Sequence, residues 1–373
     1  MTAVPPLPAP DADFHAPCTA CGADLRFAPG QTVLVCDHCG NRQEITARFP
    51  GPWKQARTGI EEMDLARGLA DDLPAASLEQ HRTTSCPNCG AVVEFPGAEH
   101  AAECPFCATP VVIGTGQVRL IKPQALVPFE IPEQAAREAL GRWLKSRWFA
   151  PNGLSDYARR GRRLTGVYTP FWTFDAATES AYAGQRGDAY YVARTVTVNG
   201  QRRTEQERRV RWSPVRGRVA RVFDDVLVPA GRSHDAGRMR ALEPWGLGAL
   251  QPYRPDWLAG FLAEGYTVAL ADGHDRAREI MAGVIAGDVR AAIGGDEQRV
   301  ERIDTRHSAE TFKHVLLPVW TAAYRFRGRS YACVINGQTG RVAGERPYSP
   351  WKIAGAVALA LIALALVAWL QAR

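Results

Sequence analysis

Lysine is scarce in this chain. Lys54, Lys122, Lys145, Lys313 and Lys352 are the five among 45 basic residues, and none stands between a glycine and a serine or threonine. A P-loop needs a lysine in that position to reach the terminal phosphates, so a P-loop ATPase or helicase motor is excluded. The strings G-x-G-x-x-G, G-x-S-x-G and H-E-x-x-H are missing as well. Their absence removes the fingerprints of a dinucleotide fold, a nucleophile elbow and a helical zinc protease. Histidine is sparse, and His234, His274, His307 and His314 are never at metal-ligand spacing with one another. His314 with Asp304 or Glu310 offers an acid–base pair, but a structural histidine is the commoner outcome. The N-terminus shows no secretory signal. Long apolar runs are missing everywhere except near the C-terminus.

What remains is a globular composition. Of 373 residues 46% are apolar and 23% charged, which excludes disorder or a fibre for the whole chain and allows two or three domains. The net charge of +6 conceals an asymmetry: residues 1–110 carry net −7, residues 137–221 net +11, and residues 222–373 net +2. An acidic head before a basic middle bears on partners.

Cysteine is patterned. Cys18 and Cys21 are followed after fourteen residues by Cys36 and Cys39, and Cys86 and Cys89 after the same interval by Cys104 and Cys107. Zinc takes four soft ligands in a tetrahedron, and each C-x-x-C turn supplies two thiolates. Disulfides are disfavoured in a reducing compartment, and a redox pair would come singly near a βαβ pattern. The expectation is two structural zinc ions per chain in two zinc ribbons, with four thiolates leaving no place for a reactive water. Gly22, Gly40 and Gly90 directly follow their pairs, where a left-handed backbone is needed. Leu25, Phe27, Val33, Leu34 and Val35, then Val92, Val93 and Phe95, supply the ribbon strands. His38 reads as exposed, and Cys333, left over, as a small buried hydrophobe.

Ile353 to Leu370 is eighteen residues without a charge. At 1.5 Å each they reach across a hydrocarbon core, with Trp351 and Trp369 at the interfacial positions. Arg341, Arg346 and Lys352 precede the run and Arg373 follows it. The positive-inside rule then predicts a tail anchor in the inner membrane, single-pass, with the N-terminal bulk in the cytoplasm.

The resulting map has a disordered head (1–17), zinc ribbon 1 (18–47), a linker with a short helix near Ile60–Ala70 (48–85), zinc ribbon 2 (86–115), a mainly antiparallel α+β domain (118–350) and a transmembrane helix (353–370). Helices are expected at Pro132–Trp148 and Asp272–Ile293 from their apolar periodicity. Each precedes a strand-like run containing P-x-W-T, at Pro170–Thr173 and Pro318–Thr321. That suggests an internal duplication with units 128–230 and 255–346. Trp172 and Trp320 read as core residues. Asn199–Gly200 marks a hairpin, and SYACVINGQTGRVAG marks another.

With CPNCG, CPFC, FDDVLVPA, LEPW, IGGD, TFKHVLLPVW and NGQTGRVAGERPYSPWK in place, the chain resembles a family of bacterial proteins. These carry paired N-terminal zinc ribbons and a C-terminal membrane segment, and are often labelled TFIIB-type zinc ribbon or primosomal-protein-N'-like. The resemblance runs from residue 18 to the anchor. It implies a membrane-anchored recruiting or scaffolding factor associated with SPFH-domain or phage-shock-like membrane proteins. It assigns no catalytic residues, and the helicase label lacks motor motifs to support it.

The sequence therefore favours a non-catalytic cytosolic scaffold at the inner membrane that binds protein partners. Nucleic-acid binding through residues 137–221 is the alternative. The ribbon head is net negative and becomes more so once four thiolates hold each zinc, which disfavours phosphate contact there. Arg202, Arg203, Arg208 and Arg209 are the candidate contacts with a membrane surface or phosphates.

Overall fold

The computed structural model describes residues 17–45, 60–94, 101–106, 109–112, 117–149, 164–198, 201–233, 235–326 and 329–371. The predicted disordered head lies outside them except for Pro17. The architecture is α+β with mainly antiparallel sheets, few helices and one apolar C-terminal helix.

Near the N-terminus β1 (Leu25–Phe27), β2 (Val33–Cys36) and β3 (Arg42–Glu44) form a sheet of three strands. On β1 the alternation turns Leu25 and Phe27 inward and Arg26 outward. Three short strands bury too little apolar area to stand alone, and this sheet docks on the rest of the protein. Phe27 meets Trp257 edge-on at 5.0 Å and Phe261 at 6.2 Å. The Phe27 N–H donates to Ala259 O and the Gly30 N–H to Phe129 O, both at 2.9 Å.

β4 (Met63–Asp64) leads into α1 (Leu65–Leu69), whose first turn is capped by the Asp64 carboxylate accepting from the Arg67 N–H. The helix predicted near 60–70 is shorter than expected because β15 captures its first part, pairing Phe312 with Met63. Next come β5 (Leu78–Ser85), β6 (Val92–Glu94), the two-stranded pair β7 (Ala101–Glu103) and β8 (Pro110–Val112), β9 (Gln117–Ile121) and β10 (Ala125–Leu126). Then follow α2 (Glu133–Lys145), β11 (Thr165–Val198), β12 (Gln201–Pro229), α3 (Ala236–Arg240), β13 (Gln251–Pro252), β14 (Leu262–Gly265) and α4 (Leu270–Ile293). The chain closes with β15 (Glu297–Phe326), β16 (Arg329–Asn336), β17 (Val342–Gly344) and α5 (Pro350–Gln371).

β11 and β15 run antiparallel from Thr165↔Thr321 to Gly187↔Glu297 and form the spine of the large sheet. Their P-x-W-T halves are buried on both faces, which is why LTGVYTPFWTF is apolar without alternation. On one face Tyr168, Trp172, Phe174, Phe312 and Trp320 pack under α2 and α4. On the other, Phe171, Val315, Leu317 and Val319 pack under the 239–250 segment through Met239, Leu242, Trp245 and Leu250. Farther along, β11 alternates and one face carries charge.

The connections repeat a pattern. β10 runs parallel to β15 at Ala125↔Val315, and β14 runs parallel to β11 at Val167↔Leu262. Each short strand leads to a helix and then to an antiparallel pair, β11–β12 or β15–β16. Trp172 Nε1 donates to Val268 O (3.0 Å) just ahead of α4, and Trp320 Nε1 to Ile131 O (3.1 Å) just ahead of α2. The helices stand close to their predicted spans. α4 buries Ala277, Met281, Ile285, Val289 and Ile293, whereas Val284 is exposed. The buried stripe is a single i, i+4 row, narrower than the apolar spacing suggests.

Beyond Gly187 the β11–β12 pair continues alone to Val198↔Gln201. The turn residues Asn199 and Gly200 lie outside the described residues, and the predicted hairpin closes around them. The two-stranded arm reaches about 35 Å past the three-stranded part at some 3.4 Å per residue. α5 has no buried residue, and among the described residues it is the one helix long and apolar enough to cross a membrane.

Candidate metal centres

The first cysteine set is brought together as the spacing requires. The ligand atoms of Cys18, Cys21, Cys36 and Cys39 all lie within 4.8 Å of one another. Cys18 and Cys39 Sγ are 3.6 Å apart and Cys21 and Cys36 Sγ 3.5 Å. A tetrahedron with zinc–sulfur bonds of about 2.3 Å has edges of about 3.8 Å, so the quartet is close to that size. All four are free cysteines.

Three cysteines of the second set are likewise gathered. Cys86, Cys89 and Cys104 lie within the same mutual distance, and Cys89 and Cys104 Sγ are 3.6 Å apart. Cys107 lies outside the described residues. Its turn is still marked by the backbone: the Cys104 N–H donates to Thr109 O (2.8 Å). The same bond closes the other three turns, from Cys18 to Ala23, Cys36 to Asn41 and Cys86 to Ala91. The glycines take the expected left-handed conformation: Gly22 and Gly40 have φ of 74° and Gly90 of 73°. Each donates its N–H to the carbonyl of the first cysteine.

The thiols of the first quartet are pushed in opposite directions. Burial works against ionisation of Cys18, but the Ala20 N–H (3.4 Å) and Asn41 Nδ2 (3.5 Å) outweigh it and bring the thiol down to about 6. Cys21 goes the other way. The Ala23 N–H favours its thiolate, yet the crowding sulfurs of Cys39 and Cys36 push it up to about 12. One proton leaves readily and the next is held among sulfurs, an arrangement a thiophilic cation completes by displacing the rest.

The two sets differ in their surroundings. The first sits in its own small sheet. The second is bound into the large one: β6 pairs with β5 on one side and β14 on the other. Val167 and Leu262 pack against Cys86, Cys104 and Phe106, and Thr321 Oγ1 donates to Pro105 O at 3.2 Å. β14 also carries Glu264, a buried carboxyl whose pKa burial pushes up to about 8, only partly offset by Ser233.

The remaining candidates are placed as follows. Arg202, Arg203, Arg208 and Arg209 all lie on β12, and the side chains of the first two are outside the described residues. Arg208 pairs with Glu297 (2.7 Å) and Arg209 with Glu207 (3.3 Å), all four exposed or nearly so. Arg221, also in the basic stretch, is paired with Asp288 of α4 at 2.6 Å. His314 is buried, with Nδ1 2.8 Å from Ile121 O and its ring 5.1 Å from Trp172, a structural role. The carboxylates expected beside His314 are placed elsewhere: Glu310 meets His274 at 2.8 Å and Asp304 meets Arg302 at 2.6 Å. His38 is exposed and Cys333 fully buried, its thiol pushed up to about 12 by burial.

One cluster escaped the sequence reading. Lys313 gathers Glu62, Asp175 and Asp225 around its ammonium. Glu62 apart, its residues lie in TFKHVLLPVW, FDDVLVPA and LTGVYTPFWTFDA, but their convergence depends on strand register, which spacing along the chain does not reveal.

No family model and no solved structure matches this chain. Its sequence is similar to the uncharacterized protein YdjG of Bacillus subtilis (strain 168), at 26% identity over 350 residues that cover 90% of this chain and 91% of that protein.

Proposed function

We propose that this protein is a membrane-anchored scaffold, with two zinc ribbons and an α+β platform that present a docking arm to protein partners on the cytoplasmic face of the inner membrane. The observation that carries this reading is the free β11–β12 arm. Among the described residues β12 pairs with β11 alone, so its outer edge offers N–H and C=O groups to an incoming strand. The arm displays Tyr190 and Tyr191, and Arg211 lies over the Tyr190 ring at 5.4 Å. Tyrosine and arginine are the residues that concentrate binding energy at protein interfaces.

Anchoring is supported by α5, apolar on every side. It grows directly from the body, with the Ser349 N–H donating to Phe149 O and Lys352 Nζ to Trp148 O. Zinc is supported by the sulfur geometry. A duplicated origin for the large domain is supported by the exchanged parallel strands and by the two tryptophans that bond ahead of the opposite helices.

Replacing 188–211 by a two-residue turn tests the reading. The shortened protein should keep its zinc and its membrane fraction but lose the proteins that co-purify in mild detergent. Retention of the full partner set would reject the arm as the docking element. Removing Ile353–Arg373 should release the protein to the soluble fraction, and external protease should spare the ribbons in intact spheroplasts. The arm's arginines and tyrosines also suit nucleic acid by charge and stacking. Submicromolar oligonucleotide binding without vesicle or protein binding would favour that second reading.

A further inference from the structure

Four carboxylates and one ammonium meet where three neighbouring strands lose register together. β11 shifts against β12 between Phe174 and Ala176 and against β15 between Asp175 and Ala177. There β11 supplies Asp175, β12 supplies Asp224 and Asp225, β15 supplies Thr311 and Lys313, and the residue before β4 supplies Glu62. Lys313 Nζ, almost fully buried, is 2.9 Å from Glu62 Oε1, 3.0 Å from Asp175 Oδ2 and 2.9 Å from Asp225 Oδ1. The ammonium donates to Glu62 and Asp175, and Asp225 lies beside it as an ion-pair partner. Three carboxylates thus converge on one ammonium, with Asp224 close to two of them.

The carboxylate oxygens of Glu62, Asp175 and Asp224 lie within 4.8 Å of one another. Thr311 Oγ1 bridges two of them, 3.1 Å from both Glu62 Oε2 and Asp175 Oδ2. A second, independent observation concerns Thr173. It is fully buried and its hydroxyl has no hydrogen-bond partner. It stands directly across from Lys313 in the β11–β15 register and two residues before Asp175, so its side chain shares the face of the cluster. A stranded buried hydroxyl costs roughly 1–3 kcal/mol, a cost that a ligand in the cluster would remove.

We propose that Glu62, Asp175 and Asp224 form a site for one hard divalent cation of the Mg2+ or Mn2+ class, with Thr173 lining it and Lys313 as its fixed neighbouring charge. Oxygen-only ligands select hard cations over the thiophilic metal of the cysteine clusters. Glu62 is 47% exposed, which leaves an entry path and room for the waters such ions retain. Asp175 is held in place by two ladders and Lys313, so three strands and the β4 segment fix the ligands relative to one another.

Zinc-loaded full-length protein in detergent should be titrated with Mn2+, following free Mn2+ by its electron paramagnetic resonance signal. One Mn2+ per chain is expected, displaced by Mg2+, with affinity weakened roughly tenfold or more in Asp224→Asn and in Glu62→Gln and unchanged in Arg208→Gln. No binding up to about 1 mM, the weak limit of functional oxygen sites, would overturn the proposal, as would equal affinity in the wild type and both variants. A thermal melt of the wild type supplies a readout independent of the variants: saturable stabilisation by Mn2+ supports the site, and an unmoved melt rejects it.

Discussion

The two cysteine clusters share spacing and the backbone bond that closes each turn, yet they occupy opposite mechanical positions. The first organises a sheet of three short strands that touches the body through Phe27, Trp257 and Phe261. The second lies beside β6, a strand hydrogen-bonded on both edges within the large sheet. A metal in the first cluster would hold a module together. A metal in the second would sit against the strands that hold the platform together. Identical local chemistry should therefore have unequal global consequences.

The largest expected contrast comes from removing one ligand in each. Cys104→Ser should cost more than about 4 kcal/mol, since it breaks a metal-coupled turn packed on Val167 and Leu262. Cys39→Ser, at an exposed ligand, should loosen residues 18–45 and leave the rest intact. Hydrogen exchange reads the difference: lost protection in β14 and the start of β11 for the first variant, and in β1–β3 alone for the second. Equal, local losses would dissolve the comparison. Phe27→Ala should come next, at about 3–4 kcal/mol for a buried aromatic. Its signature is undocking of the first sheet with its zinc still bound, seen as a change in Trp257 emission. Loss of zinc in step with undocking would mean that the module needs the body to hold its metal.

That asymmetry was out of reach of the sequence. The cysteine spacing, the three knuckle glycines, helices α2 and α4 and the Asn199–Gly200 hairpin are all local patterns, and local patterns survive reading in one dimension. The partner of β6 is β14, some 170 residues away in the chain. Nothing about Val92 or Val93 announces that pairing. The same holds for Lys313, whose carboxylates come from β11, β12 and the segment before β4. Where a cluster lies within one turn or one hairpin it is legible, and where it depends on register across strands it is not. The arginines of β12 show the intermediate case. Their charge was visible, but Arg208 and Arg209 face Glu297 and Glu207, and the pairing with Glu297 depends on where β15 begins.

The strand beside the second cluster adds a pH dependence of its own. Glu264 keeps its proton in the folded protein up to about 8, whereas an unfolded glutamate loses it near 4.3. The folded state therefore binds the extra proton between those values. Stability from this group is complete at low pH and falls as pH rises, by about 1.4 kcal/mol per unit, or about 3 kcal/mol from pH 5 to 7. Glu264→Gln should remove that slope and stabilise the protein at pH 7. A melting profile of the variant that keeps the same slope would place its origin in another group.

The smallest effects isolate the turn itself. Asn336–Arg341 is built like a cysteine knuckle: the Asn336 N–H donates to Arg341 O, and the Gly340 N–H donates to Asn336 O with φ of 75°. In place of a thiolate, Asn336 Oδ1 accepts from the Gln338 and Thr339 N–H groups. The protein thus contains the same turn with and without sulfur ligands. Gly40→Ala and Gly90→Ala meet no atom within 4 Å, and Gly340→Ala meets ordinary contacts with Ile131 and Ala139. Each should cost only the left-handed backbone penalty of about 1–2 kcal/mol. In the two knuckles that penalty should appear as roughly tenfold weaker zinc retention in a competition with a chelator, because the turn must be formed to present both sulfurs. In the Asn336 turn it should appear as lost thermal stability with zinc retention unchanged. If Gly90→Ala also lowers the melting temperature as Gly340→Ala does, while Gly40→Ala does not, the second cluster's strain reaches the platform. If all three behave alike, the surroundings of the clusters do not matter.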